Sequence, residues 1–98
     1  MNPIKNTISV QCITPEGIET GAYSVEIVRG EEKIEYTVGL NEDYYQMLCG
    51  GEISHEDLIK KSFEFLLEQE SASAILREFD LPVIEEYFPE YKNEIRKR

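Results

Sequence analysis

At 98 residues the chain has room for one small domain, spanning 1–98, which buries roughly 60 to 68% of the surface its unfolded form exposes. An apolar fraction of 41%, with six Tyr and four Phe, is that of a folded globular chain rather than a disordered one. The formal net charge of -10, twenty acids against ten bases, excludes the usual basis of direct nucleic-acid or anionic-membrane binding, which is Lys and Arg neutralising phosphate.

Residues 41–70 are the most acidic part, with eight acids against two bases. No apolar run reaches the ~18 residues of a membrane span, and MNPIKNTISVQC lacks a signal-type hydrophobic region, so the expectation is a cytoplasmic protein. Cys12 and Cys49 make no disulfide framework and read as reduced thiols.

The pattern predicts an α+β fold: a three-stranded antiparallel meander followed by a helical half. In 7–13, Ile8, Val10 and Cys12 alternate with Thr7, Ser9 and Gln11, the period of a half-buried strand. Thr14-Pro15-Glu16-Gly17 reads as a turn, with loop to Gly21. Tyr23, Val25 and Ile27 mark a strand over 22–28, and Ile34, Tyr36, Val38 and Leu40 another over 33–40. Arg29-Gly30-Glu31-Glu32 joins them as a hairpin.

Helices are expected over 42–49, 55–69, 73–79, 81–88 and 90–97. Asn41 is the cap of the first, Glu42 and Asp43 suit its dipole, and Gly50-Gly51 end it. Ser54-His55-Glu56-Asp57 approximates a capping box, and Leu58, Ile59, Phe63, Leu66 and Leu67 form an apolar stripe expected to pack on the sheet. Ser71-Ala72-Ser73 and Asp80-Leu81-Pro82 offer caps for the next two, and Pro89 starts the last, which carries Tyr91 and Ile95.

The run SFEFLLEQE (62–70) followed by ILREFDLPVIEEYFPEY (75–91) resembles the C-terminal half of a family of small uncharacterised bacterial proteins, in which a similar aromatic and acidic string follows three predicted strands. Gln69 and Ser71 stand where the family pattern has Arg and Pro. The resemblance implies a stand-alone bacterial domain and carries over no activity, cofactor or functional residue.

No residue pattern points to catalysis, a cofactor or a metal. His55, the one histidine, has no companion ligands at metal-binding spacing and no advertised nucleophile, and reads as a surface residue. Cys12, on the apolar side of a strand, reads as a small buried hydrophobe; neither cysteine sits in a Cys-x-x-Cys unit. Gly50-Gly51 lacks the Lys-Ser/Thr of a phosphate loop, the acids lack EF-hand spacing, and Arg96-Lys97-Arg98 reads as a solvated tail.

The stretch 79–91 is the exception: Phe79, Tyr87, Phe88 and Tyr91 stand among acids and either close the core or form a partner surface. The leading expectation is a non-catalytic protein-interaction or regulatory module, binding another protein or itself; an antitoxin-like or operon-partner role is one form of it. The alternatives are a small-ligand or enzymatic domain with a pocket around Tyr23, Tyr36, Tyr44 and Tyr45, and an acidic DNA mimic.

Overall fold

The computed structural model describes residues 7–13 and 20–97; the turn expected at 14–17 and Arg98 of the basic tail lie outside them. The meander is present as β1 (Thr7–Cys12), β2 (Thr20–Arg29) and β3 (Glu32–Asn41), each antiparallel to its neighbour. Gly30 joins β2 to β3 with φ 62°, while Glu31 keeps a negative φ. Gly at the first central position is the pattern of a type II′ hairpin turn.

Alternation sorts the strands into two faces. Tyr23, Val25 and Ile27 of β2 and Tyr36, Val38 and Leu40 of β3 are buried, with Ile8 and Val10 of β1 packed against them. Glu26 and Glu35 lie opposite each other on the other face, where Lys33 Nζ stands 3.3 Å from the first and 3.6 Å from the second, offsetting the like charges.

Helix α1 (Glu42–Cys49) starts where the Asn41 side chain accepts the Tyr44 N–H at 2.7 Å, and ends at Gly50, whose φ of 60° closes the helix through its N–H to Gln46 O. Arg96, expected in a solvated tail, instead donates to the Met47 carbonyl at 3.0 Å in the last turn of α1. Helix α2 (His55–Gln69) begins at the Ser54 cap, which accepts the Asp57 N–H at 3.1 Å, and buries Leu58, Ile59, Phe63 and Leu66 as the stripe requires. Each such side chain contributes roughly 1.5 to 3 kcal/mol when removed from water.

Beyond α2 the structure departs from the helical expectation. Residues 73–79 are not a helix: a single 3-10 turn spans Ala72–Ala74, and Glu78–Asp80 form a fourth strand, β4, parallel to β3. The cause is the unpaired edge of β3. Thr37 N–H donates to Arg77 O and Leu81 N–H to Gly39 O, both at 2.8 Å, satisfying backbone groups that a seven-residue helix would leave to water. The Asp80 side chain occupies the space beside Gly39 that a Cβ there would take, while the β4 backbone stays at ordinary contact distance. Asp80, expected to cap a helix, is thereby committed to the strand, and α3 (Val83–Tyr87) has no side-chain cap. Helix α4 (Tyr91–Lys97) closes the chain.

Tyr91 and Ser62 join α4 to α2 in the core. Ser62 Oγ donates to Leu58 O at 2.8 Å, so its one proton is taken and the Tyr91 hydroxyl, 2.6 Å away, is the donor to Ser62. Ser62→Ala is therefore expected to cost about 1–3 kcal/mol by stranding a buried hydroxyl, and Tyr91→Phe about 1 kcal/mol or less. The double variant should be no less stable than Ser62→Ala alone in urea denaturation. Additive losses would contradict the hydrogen bond, and a larger loss for Tyr91→Phe than for Ser62→Ala would contradict its direction.

Candidate functional site

Three of the four residues singled out for a partner surface lie in one groove, and the fourth does not. Phe79 from β4 and Phe88 after α3 are half-buried, Tyr87 is exposed, and all three line a groove of about 210 Å³ between α2, β4 and α3. Tyr91 is fully buried and belongs to the core. The floor rests on the core. Phe79 packs on Phe63 with ring centroids 6.0 Å apart, and Phe88 meets Phe65 edge-on at 5.9 Å.

The rim is Leu76, 51% exposed, and Tyr87, 67% exposed. Leu76 was missed in the sequence because it precedes the aromatic stretch 79–91 and falls within the helix expected over 73–79. The observed turn and strand leave it facing outward. Glu70 also lines the groove, and Glu78 and Glu86 are exposed on the flanking elements, so an apolar trough lies within an acidic surface. A wider, shallower hollow of about 610 Å³ is lined by residues such as Gly21, Thr37 and Asp80, with Phe79 the one aromatic among them.

The tyrosines considered for a ligand pocket are buried in the core rather than gathered around an opening. The Tyr36 hydroxyl donates to Ala72 O at 2.6 Å, tying β3 to the 3-10 turn, and the Tyr45 hydroxyl donates to Ile53 O. Tyr44 stands beside Glu85; burial first and that carboxylate second push its pKa up. Glu85 is itself ion-paired with Lys92 Nζ at 3.2 Å.

His55, expected at the surface, is partly exposed there and has two close neighbours. Its Nε2 stands 2.8 Å from Glu42 Oε2, and its ring lies on Tyr45 with centroids 3.7 Å apart and planes at 18°. The imidazole links the N-terminal turns of α1 and α2. The hydrogen bond from His55, with a second from Gln46, holds the Glu42 carboxyl below the usual carboxylate range. Among the described residues, no group of three or more His, Cys, Asp or Glu is arranged to hold a metal.

Cys12, expected to be buried, is exposed, because it ends a strand at the border of the sheet; Cys49 is half-buried and its thiol faces Tyr45 O at 3.4 Å. No helix among the described residues is long and apolar enough to cross a membrane. Compared with known proteins, the chain matches no family model, no curated protein and no solved structure.

Proposed function

We propose that the chain is a non-catalytic protein-interaction module of the cytosol that seats an apolar, basic-flanked segment of another protein between α2, β4 and α3. The observation that carries this reading is the groove itself: an aromatic floor of Phe79 and Phe88, open to solvent between the exposed side chains of Leu76 and Tyr87. Side chains of this kind left at a surface mark interfaces. Its volume, about 210 Å³, falls below the roughly 300–1,000 Å³ of small-molecule pockets, which favours protruding partner side chains over a free ligand. The net charge of -10 favours a cationic partner and speeds its encounter.

The chain contains no tryptophan, so a single Trp in a synthetic amphipathic Leu/Lys helix reports binding by fluorescence. Saturable binding that weakens with salt is expected, with little for the matching Leu/Glu helix. Leu76→Asp and Tyr87→Asp should each weaken it about tenfold or more, while leaving the melting curve close to that of the parent. Absence of saturation, or an affinity unchanged from the parent in both variants, would refute the groove as the docking site.

A further inference from the structure

The sheet order places β1 at one edge and β4 at the other, and the two edges are built differently. β4 is three residues long and carries Glu78 and Asp80, so it is short and charged, as protected edges are. β1 is six residues long, and 7–13 contains neither a charge nor a proline, in a chain that is 31% charged. The devices that blunt an edge strand are missing from this stretch.

The hydrogen-bond phase shows which groups β1 turns outward. Ile13 N–H donates to Ala22 O at 2.8 Å, and pairing alternates along an antiparallel ladder. Thr7, Ser9 and Gln11 therefore address β2, while the backbone N–H and C=O of Ile8 and Val10 point away from the sheet. The far ladder agrees: carried across β2, this phase requires Thr37 and Gly39 to bond to β4, which they do.

We propose that β1 pairs with β1 of a second copy, antiparallel about a two-fold axis through Ser9, joining two four-stranded sheets into one. In this register Ile8 lies opposite Val10 of the second copy and Val10 opposite its Ile8; each pair exchanges two backbone hydrogen bonds. The half-buried Ile8 and Val10 side chains cover one another on the packed face, and Thr7 meets Gln11 on the other. Both helical layers stay on one side, with the α2 helices, which lie over β1, flanking the axis. Copies that each carry -10 repel, and an uncharged strand is where they meet without placing like charges opposite.

Sedimentation equilibrium of the full chain tests this. A reversible dimer is expected that tightens as salt shortens the screening length to about 10 Å at 0.1 M, the opposite salt response from peptide binding in the groove. Val10→Pro removes an outward N–H and leaves the β2 ladder intact, as edge prolines do. It should weaken the dimer about thirtyfold, roughly 1 kcal/mol for each of the two N–H groups lost, with the circular dichroism retained. Should that variant misfold, Ser9→Cys in a Cys12→Ser background decides: the two-fold pair has Cα atoms about 4.5 Å apart and should form an intermolecular disulfide under mild oxidation. A monomer at every concentration and salt, a dimer unchanged by Val10→Pro, or no cross-link at position 9 would overturn the proposal.

Discussion

Phe63→Asp is expected to unfold the protein. Phe63 is fully buried, and its ring packs at 5.1 Å on Tyr36 of β3 and at 6.0 Å on Phe79 of β4, so this side chain from α2 holds both the meander and the added strand. Truncating a buried Phe costs about 3–5 kcal/mol, and an unpaired carboxylate in the same space adds several more. Total stabilities of small domains are only about 5–15 kcal/mol. Thermal denaturation followed by circular dichroism should show no cooperative transition, whereas Glu64→Ala, one residue along and exposed, should shift stability by less than about 0.5 kcal/mol. A parental melting curve for Phe63→Asp would mean that α2 presents a different face to the sheet. Leu66→Asp is expected to behave likewise, because Leu66 lies in the same buried stripe.

The second large effect is alkaline unfolding. Burial pushes Tyr23 up to about 12, helped by the charges of Cys12, Glu56 and Glu42. Burial likewise raises Tyr36, against the opposing Arg77, and Tyr44, Tyr45 and Tyr91. In each case the folded state disfavours the phenolate. The stability these groups contribute is full below the unfolded value near 10 and is lost as pH rises through the folded values. Phenolate absorbance should therefore lag behind free tyrosine above pH ~10, then rise in one step with the loss of circular dichroism. Ionisation of all six tyrosines near pH 10 with the fold intact would contradict the burial of five of them.

The groove and the core draw on the same aromatic string, and this limits what its sequence can reveal. Phe79, Tyr87, Phe88 and Tyr91 lie within thirteen residues, yet Tyr91 is fully buried while Tyr87 is largely exposed. Their difference comes from the break at Phe88 and Pro89. Helix α3 ends at Tyr87, and α4 starts afresh at Tyr91 and points its first side chain toward Ser62. Two helices of five and seven residues set their faces by what they pack against, so apolar spacing across the break carries no information about direction.

The amino-acid sequence by itself determined the meander, the limits of α1 and α2, and the stripe that joins helix to sheet. These rest on local rules: alternation with a period of two, side-chain caps at Asn41 and Ser54, a left-handed glycine at position 50, and the three- and four-residue recurrence in α2. Tertiary structure alone decided the rest. Residues 78–80 became a strand because the edge of β3, some forty positions earlier, offered hydrogen bonds. His55 acquired Glu42 and Tyr45 as neighbours because two helix starts converge. The exposure of Leu76, one rim of the groove, followed from that same added strand. In each case the deciding partner is distant along the chain, and a propensity confined to neighbouring residues contains nothing about it.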